Sequence, residues 1–371
     1  MNDEFYWYWL CNINGIGNVK IKKLLEQFHT PKGLYEADED SVRQSGVLTS
    51  SDIENFKNSR KDREIYKSFL KLYEKEIRFI HMGSDEYPKN LYQLYDAPAC
   101  LYCKGTLNGI NAPTVAVVGA RDCSEYGRAV AFKLAGAFAQ MGINVVSGMA
   151  FGIDSAAHKG CLNAGGTTYA VFGCGVDICY PRDNIQLYMD IQRNGGLLSE
   201  YAVGTPPCAG RFPMRNRIIS GISDAVVVVE ARKRSGSLIT VDQALEQNKD
   251  VFVVPGRISD PLSEGCNYLI SQGAQVILEP ENIMQSSVIM RKISMLGSNG
   301  KNCLTEKCKE KRLAREKDMV YSCLDLYPKS QDIIIEETGL DMAVVNQCII
   351  DMQLEGLVKE ISKSCYIRSN L

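Results

Sequence analysis

The segment from Thr114 to Gly148 constrains the fold of this chain more than any other. It begins with the apolar run Thr114–Val118, turns at Gly119-Ala120-Arg121, continues with a helical pattern and ends in Ile143–Val146 before Ser147-Gly148. A short buried strand, a glycine turn, an amphipathic helix and a second strand together predict a βαβ unit. In such units a ligand binds beyond the carboxyl ends of the strands, where the helix N-terminus offers N–H groups to an anion.

The same alternation of strands and helices continues towards the C-terminus. Further strands are predicted at Thr168–Phe172, Gly196–Ser199, Ala225–Val229, Val251–Val254 and Gln275–Leu278. The intervening helices are predicted at Phe151–Ala164, Asn184–Asn194, Pro213–Ser220, Leu238–Gln247 and Cys266–Gln272. Such alternation is typical of an α/β fold, and it predicts a doubly wound, mostly parallel, Rossmann-like sheet over residues 77–285 with helices on both faces.

The part before the sheet, residues 1–76, is predicted to be a small helical domain of the SAM or helix-hairpin-helix kind. Its helices are predicted at Phe5–Cys11, Val19–Phe28 and Ser51–Tyr73. The glycine hairpin Gly15-Ile16-Gly17 either presents N–H groups to a phosphate or serves as a plain helix-helix turn. The extended pieces Arg78–His81 and Cys100–Cys103 precede the main sheet or add to its edge.

The part after the sheet is predicted to contain a linker and a second domain. Residues 286–314 are polar and read as the linker. Residues 315–371 hold three helix-like segments followed by a hairpin, which predicts a winged-helix domain. Its third helix carries no basic residue in the first turns, Asp341–Gln347, so a protein contact is at least as consistent with it as a major-groove contact.

Composition narrows the class of protein. The 14 cysteines are scattered through apolar segments of a 371-residue chain, which favours buried reduced thiols over a disulfide scaffold. The pairs Cys100/Cys103 and Cys303/Cys308 have no second pair beside them, so we expect no metal, and we expect no cofactor. A net charge of −2 argues against indiscriminate coating of nucleic acid. Without a long apolar run or a basic signal sequence, the chain is expected to be soluble and cytoplasmic.

The first βα turn does not fit a dinucleotide site. That fingerprint needs Gly-x-Gly-x-x-Gly and an acidic residue at the end of the second strand. Here the turn holds one glycine, Gly119, and the second strand ends in Ser147-Gly148. Arg121 is either a solvated loop charge or a ligand of a backbone phosphate, and its place between strand and helix favours the phosphate.

Similar turns follow the later strands. They are Ser147-Gly148, Gly173-Cys174-Gly175, Ser199-Glu200 and Ser235-Gly236-Ser237. In the last of them, Gly236 and Ser237 offer N–H groups and a hydroxyl at a helix start. Several such turns at one sheet edge predict an elongated polar crevice that suits a row of phosphates better than one small ligand.

The most specific segment runs from Arg211 to Gly221. It combines Arg211, Arg215, Arg217, Asn216 and Phe212 around a helix start, with Pro213 predicted at the first helical position. Arginines for phosphates and an aromatic ring for stacking are the two ingredients of single-strand binding. The alternative is an ion-pair cluster in which Arg217 pairs with Glu200 or Glu230, and part of the segment is expected to do this.

The sequence offers no nucleophile with a matching base. His158 and Asp154 lie four residues apart on a predicted helix, but a lone histidine at a helix start is more often structural. With three histidines in the chain, there is also no histidine-rich metal set. We therefore predict no catalysis.

Together these residues resemble the DNA-processing protein A family, DprA, also called Smf. The matching motifs are Val117–Arg121, Ser124, Tyr126-Gly127, Val146–Asp154, Ala156–His158, Gly173–Asp177, Tyr180-Pro181, Phe212–Gly221, Glu230-Ala231, Ser235–Thr240 and Val254–Gly256. The resemblance covers nearly the whole chain. It implies a non-enzymatic homodimer that binds single-stranded DNA, protects incoming DNA and loads the RecA recombinase during natural transformation.

The resemblance also implies which positions contact DNA. They are Gly119, Arg121, Ser147, Gly148, Arg211, Phe212, Arg215, Asn216, Arg217, Gly236 and Ser237. Two departures from the family pattern stand out. Ala209 replaces a lysine of some members, so that Arg211 is the candidate to supply this charge, and Asp85-Glu86 replaces an Asp-Pro pair in a turn.

Two other functions stay open on the sequence. One is a nucleotide-processing enzyme of the phosphoribohydrolase type, whose fold resembles this domain. Its Pro-Gly-Gly-x-Gly-Thr-x-x-Glu run is absent, and Ser235–Thr240 supplies no carboxylate at that spacing. The other is a protein-interaction platform whose nucleic-acid binding is incidental.

Overall fold

A nine-stranded sheet organises the larger part of the molecule. This computed structural model describes residues 3–299, 317, 319–324, 328–362 and 364–368. The strands of the sheet are β1 Arg78–His81, β2 Cys100–Gly105, β3 Thr114–Val118, β4 Asn144–Ser147, β5 Thr168–Val171, β6 Gly195–Ser199, β7 Ala225–Val228, β8 Asp250–Val253 and β9 Gln275–Val276. Their order is β1-β2-β6-β5-β4-β3-β7-β8-β9, and β3 to β9 run parallel while β1 and β2 add an antiparallel edge. The predicted mostly parallel sheet is confirmed.

The central strands are buried on both faces because helices cover both. Val115 and Val117 of β3 point into one apolar core, and Ala116 and Val118 point into another on the opposite face. In β7, Ala225–Val228 pairs with β3 in parallel register and is also fully buried. Continuous apolar strands of this kind are what a doubly wound sheet requires.

Thirteen helices lie in residues 3–299. They are α1 Asp3–Cys11, α2 Asn18–Phe28, α3 Pro31–Glu36, α4 Glu39–Gln44, α5 Ser50–Ser59, α6 Arg63–Glu74, α7 Glu125–Gln140, α8 Ile153–Asn163, α9 Ile185–Asn194, α10 Arg211–Ile222, α11 Gly236–Glu246, α12 Glu264–Ser271 and α13 Ser287–Asn299. None of the helices in the described ranges combines the length and apolar character that crossing a membrane requires.

The helical N-terminal part differs from the prediction in two places. The predicted helix Ser51–Tyr73 is two helices, α5 and α6, because the chain turns extended at Asp62, whose side chain caps α6 by accepting the Glu64 N–H at 2.8 Å. The short helices α3 and α4 were not predicted. Trp9 and the rest of an aromatic core in these helices also pack against Tyr102 of β2. A domain boundary at residue 76 stays a prediction.

Two compact units divide the chain, Met1–Ser294 and Met295–Leu371. The prediction of a linker over 286–314 is wrong for its first part, where α13 forms and Ile289 is fully buried. Residues 300–314 of that linker lie outside the described residues.

The second unit has the predicted winged-helix fold. Residues 319–323 are helical, and α14 Gln331–Thr338 and α15 Met342–Leu354 follow. A small sheet completes the unit, with strands β10 Lys329–Ser330, β11 Val358–Ser362 and β12 Cys365–Arg368 in the order β10-β12-β11.

Candidate nucleic-acid interface

A crevice of about 640 Å³ opens at the carboxyl ends of the parallel strands. The loops that follow β3 and β7 form its centre, with residues from the α10 start on one side. The strand order reverses at β3, because β4 and β5 lie on one side of it and β7 lies on the other. Such a switch point is where α/β sheets bind ligands, since neighbouring loops leave in opposite directions there.

The first βα turn approaches its surroundings too closely for any side chain at Gly119. A Cβ there would lie 2.6 Å from Ile153 Cγ1 and 2.9 Å from the carbonyl oxygen of Glu230. The turn is anchored to Glu230, whose buried carboxylate accepts the Ser124 N–H at 2.9 Å. Arg121 is therefore fixed by its backbone while its side chain stays exposed at the crevice.

Phe212 is the aromatic centre of the crevice. Its ring stacks on Tyr180, with centroids 5.5 Å apart and an interplanar angle of 26°. The guanidinium carbon of Arg121 lies 5.5 Å from the same ring, and that of Arg215 lies 5.9 Å from it. A base could stack here between aromatic and cationic surfaces, as single-strand sites require.

Tyr180 was absent from the predicted site set, although 41% of its surface is exposed and it lines the crevice. It lies in the loop after β5, with no charge or glycine beside it to single it out. The Tyr180-Pro181 pair of the family motif was the available signal. Arg232 and Arg234 also line the crevice and were not in the set.

The start of α11 forms another wall. Gly236 and Ser237 are the first two helical residues, so the helix begins two residues earlier than predicted. Ser235 supplies the cap, because its Oγ accepts the Ser237 N–H at 3.3 Å and lies 2.7 Å from the Ser237 hydroxyl. Gly236 and Ser237 line the crevice, but the N–H of Ser237 already has an acceptor within the protein.

Arg215 is buried beneath the crevice, with 4% of its surface exposed. Its guanidinium donates to the carbonyl of Gly148 at 3.0 Å and to that of Val171. Burial lowers the pKa of Arg215 to about 10, and Asp154 opposes this shift. The side chain thereby joins α10 to the ends of β4 and β5.

Gly148 and Ser147 are both buried at the end of β4, and Gly148 lies directly against this arginine. A Cβ at Gly148 would lie 2.5 Å from Arg215 Nη2, and its N–H donates to Asp154 at 3.1 Å. The Ser147 hydroxyl is fully buried and donates to the Val117 carbonyl at 2.7 Å. Both residues shape the strand end from inside.

Arg217 belongs to an ion-pair cluster, as the alternative interpretation of this segment predicts. It is 6% exposed, contacts the Glu200 carboxylate, and places Nε 3.0 Å from Asp96 Oδ2. Burial raises the pKa of Glu200, while Arg217 works against that rise. Glu230, the other partner considered for Arg217, instead binds the first βα turn.

Arg211 and Asn216 are both half-buried. The Arg211 guanidinium lies 5.2 Å from the Tyr201 ring centroid and donates to the Pro206 carbonyl at 2.6 Å. Asn216 lines the crevice and its Oδ1 accepts from Arg215 Nε at 3.3 Å. Because α10 begins at Arg211, Pro213 is the third helical residue and not the first.

The titratable groups under the crevice are engaged by the protein itself. Asp154 accepts N–H groups of Gly148 and Ala150, and burial raises its pKa despite Arg215. His158 is fully buried, its Nδ1 lies 2.7 Å from Thr168 Oγ1, and burial lowers its pKa to about 3. Asp154 lines the crevice with its carboxylate already bonded to two backbone N–H groups, and His158 does not line it, so neither is placed as a free acid or base for proton transfer.

The glycine hairpin at Gly15–Gly17 lies beside a carboxylate. Gly15 has a φ of +82°, and a Cβ there would lie 2.9 Å from Asp52 Oδ1. Lys20 pairs with Asp52 at 2.7 Å and also donates to the Gly15 carbonyl. This geometry favours the plain turn, because the positive φ of Gly15 and its close approach to Asp52 account for the glycine without a ligand.

The chain is similar in sequence to one family of known proteins. A profile described as DNA recombination-mediator protein A matches residues 78–287, and one described as DprA winged helix domain matches residues 308–361. Protein Smf from a Synechocystis species is 31% identical over 97% of each chain.

Two solved structures are similar over the larger part of the chain. DNA processing protein A from Streptococcus pneumoniae has a TM-score of 0.68 at 35% identity, over 77% of this chain and 98% of that one. DNA processing protein A from Helicobacter pylori, described with a single-stranded DNA binding mode, has a TM-score of 0.52 at 32% identity. The latter covers 57% of this chain and 95% of that one.

Proposed function

This chain belongs to the DNA recombination-mediator protein A family, and we propose that it binds single-stranded DNA in the crevice at the carboxyl ends of the sheet. Through this binding it protects incoming DNA and loads the RecA recombinase onto it during natural transformation. The observation that carries the proposal is Phe212, which is stacked on Tyr180 and flanked by Arg121. The similar protein from Helicobacter pylori, described as binding single-stranded DNA, supports it.

Within the predicted set, the direct contacts are assigned by exposure. Arg121, Phe212, Asn216 and the backbone at Gly119 and Gly236 line the crevice and contact the strand. We add two lining residues to this group, Tyr180 and Arg234. Ser237 contributes its hydroxyl at the α11 start, and Arg211 contacts the strand outside the crevice.

The other predicted residues act from inside. Arg215, Ser147, Gly148 and Arg217 are buried, and the Arg215 guanidinium, although it lines the crevice, is already bonded to two carbonyls, so we assign these residues to positioning the crevice walls. This division explains why so many arginines occur in one short segment: some bind the ligand, and some hold the helix that presents it.

The proposed activity is binding and not catalysis. Among the described lining residues the carboxylates are Asp122 and Asp154. Asp154 is bound by two backbone N–H groups, and the Asp122 side chain is 98% exposed. A phosphoribohydrolase would need a fixed carboxylate near the reacting sugar. A homodimer and a cytoplasmic location are part of the same proposal and rest on the family resemblance alone.

Fluorescence anisotropy of the full chain with labelled oligo-dT and a matched duplex, over a salt series, tests this proposal. We expect tighter binding to the single strand, and a log-log salt slope that flattens by about 0.7 for each phosphate contact removed. Arg121→Glu is expected to weaken binding, while Lys133→Glu, an exposed charge on α7, serves as the matched control.

Equal affinity for both nucleic acids, or an equal effect of the two variants, contradicts the proposal. Release of free base from a nucleoside monophosphate would instead support the enzyme alternative. RecA loading is measured separately, as RecA ATPase on single strands already covered by a single-strand-binding protein. We expect stimulation by the wild-type chain and its loss with Arg121→Glu.

A further inference from the structure

A second cleft, of about 330 Å³, opens in the N-terminal helical part of the first unit and shares no lining residue with the crevice. We propose that it binds one nucleotide, an aromatic base together with its phosphate. The inference rests on the cleft alone and does not need the crevice to bind DNA.

The wall of the cleft is aromatic. Phe5, Trp9, Tyr35 and Tyr66 line it. Phe5 meets Tyr66 edge-to-face at 5.4 Å, and Trp9 meets Tyr35 edge-to-face at 4.8 Å. Tyr66 is 43% exposed while Trp9 is 1% exposed, so the former stands at the rim and the latter at the floor. Tyr66 and the half-buried Tyr35 therefore present ring surface on which a flat base can stack, and the buried Phe5 and Trp9 pack behind them.

The polar atoms of this wall are already satisfied. Trp9 Nε1 donates to Ser59 Oγ at 2.9 Å, and Ser59 donates to the Phe56 carbonyl at 2.7 Å. The Tyr35 hydroxyl lies 3.4 Å from the Arg60 carbonyl. The wall therefore offers a ligand ring surface more than hydrogen bonds, which suits stacking without selection among bases.

The rim of the cleft is cationic. Arg60, Lys61, Arg63 and Lys67 line it together with one carboxylate, Asp62. Asp62 is occupied, because it caps α6 by accepting the Glu64 N–H at 2.8 Å. Lys67 pairs with Glu64 at 2.6 Å.

Lys61 and Arg63 are the charges available to a ligand. Both are exposed, and neither makes an ion pair with the described residues. Arg60 lies deeper, 4.3 Å from the Phe56 ring centroid, and its buried Nε has no hydrogen-bond partner in the described part of the chain. A phosphate at the rim would contact the two exposed cations, Lys61 and Arg63, and would lie near Arg60. These cations can form charge-assisted hydrogen bonds with its oxygens.

A nucleotide matches both halves of this cleft. An apolar peptide would leave the cations without partners, and an acidic peptide would leave the aromatic wall exposed to water. The base and phosphate come either from a DNA strand or from a free nucleotide, and the two sources share the same chemistry.

Tryptophan fluorescence of the full chain tests the inference. The chain has two tryptophans, and both lie in α1. Trp7 stacks on His81 at 4.6 Å and does not line the cleft, so Trp7→Phe leaves Trp9 as the reporter. We expect dTMP to quench this fluorescence saturably, and thymidine and inorganic phosphate to do so far more weakly.

Charge reversal locates the binding. Arg63→Glu and Lys61→Glu are each expected to weaken dTMP binding about tenfold, equivalent to about 1.4 kcal/mol. Lys23→Glu, an exposed charge on α2 outside the cleft, is the matched control and should leave binding unchanged. Arg121→Glu in the crevice should also leave the dTMP quench unchanged, which separates this inference from the proposed function.

Several outcomes would overturn the inference: no quench by dTMP, an equal quench by thymidine, or an equal loss in Arg63→Glu and Lys23→Glu. If the Trp7→Phe variant fails to fold, the same titrations are made on the wild-type chain, where both tryptophans report. An oligo-dT that quenches at lower concentration than dTMP assigns the cleft to a strand. Equal affinity per nucleotide assigns it to free nucleotides, and either result supports the shared chemistry.

Discussion

Phe212 and Asn216, one turn apart on α10, are partly exposed in the crevice, whereas Arg215 and Arg217 of the same helix are buried. The two arginines point in different directions, Arg215 to the ends of β4 and β5 and Arg217 to Glu200. The first pair is partly exposed. The second pair is bonded to carbonyls and carboxylates that come from the ends of neighbouring strands. A segment of seven residues thus serves both as a binding surface and as the support of that surface.

The comparison leads us to propose that an arginine in a binding motif can act through the fold, without touching the ligand. A buried guanidinium is stable only where acceptors surround it, and each acceptor then becomes fixed in turn. At the crevice rim, by contrast, the exposed Arg121 guanidinium contacts only the Phe212 ring among the contacts described here and can reach a phosphate. Substitutions on the buried side should change the stability of the fold, and those at the rim should change affinity.

The largest effect is expected for Arg215→Met. This change leaves the carbonyls of Gly148 and Val171 without their buried donor and removes the positive charge that opposes the raised pKa of Asp154. Losing one member of such a buried set costs about 3–5 kcal/mol in the free energy of unfolding. Urea unfolding followed by circular dichroism measures it, with Arg121→Met as the exposed control, expected within about 0.5 kcal/mol of wild type. An unchanged unfolding midpoint for Arg215→Met would remove the distinction between the two sides.

A somewhat smaller effect is expected for Arg217→Met, about 3 kcal/mol, because Glu200 stays buried without its counter-ion. Adding Glu200→Gln to this variant should recover at least half of the loss, since the neutral amide needs no counter-ion. The double-mutant cycle is measured by urea unfolding. Strictly additive losses would mean that the ion pair does not couple the two residues.

A pH dependence is expected from His158, which lies among the buried groups beside Arg215. Burial lowers its folded pKa to about 3, below the unfolded value of about 6.5. Between these values the unfolded chain binds a proton that the folded chain does not, so stability falls as the pH falls. From pH 7 to about pH 5 this group alone should remove about 2 kcal/mol from the free energy of unfolding.

His158→Gln supplies the control for this prediction. Glutamine does not titrate, so the pH dependence of the variant should be smaller than that of wild type by the same amount. Unfolding curves at the two pH values measure the difference. Parallel curves for the two proteins would show that His158 binds a proton in the folded state, which its complete burial argues against.

The smallest effect is expected at the rim. Arg121→Ala should weaken single-strand binding about tenfold, equivalent to about 1.4 kcal/mol, and leave the free energy of unfolding within about 0.5 kcal/mol of wild type. Lys133→Ala is the control for the loss of one positive charge. Anisotropy and urea unfolding on the same samples separate the two quantities. A loss of stability in Arg121→Ala would place this residue with the buried group.

Much of the fold could be predicted because strands and glycine turns leave local signals. The runs Thr114–Val118 and Ala225–Val229 are apolar and β-branched, and the structure has strands at both. Helices of six residues, such as α3 and α4, are too short to show a periodic pattern. The segment that forms α13 predicts a linker because it is polar on one side, but its Ile289 packs into the core.

The site was predictable in composition but not in exposure. The sequence places arginines, an aromatic residue and small residues at the strand ends. Whether Arg215 faces the ligand depends on the carbonyls of Gly148 and Val171, which the chain brings from two other strands. No local pattern around residue 215 contains that information.

The contact between Gly148 and Arg215 also restricts how this protein can change over generations. Alanine at position 148 would overlap the guanidinium, so the arginine would have to move away from its bond to the Gly148 carbonyl. Replacing Arg215 first has a different cost, because a smaller residue at position 215 opens a cavity beside the buried Asp154 carboxylate. A change at either position therefore disturbs the other, and we expect the two residues to be inherited together.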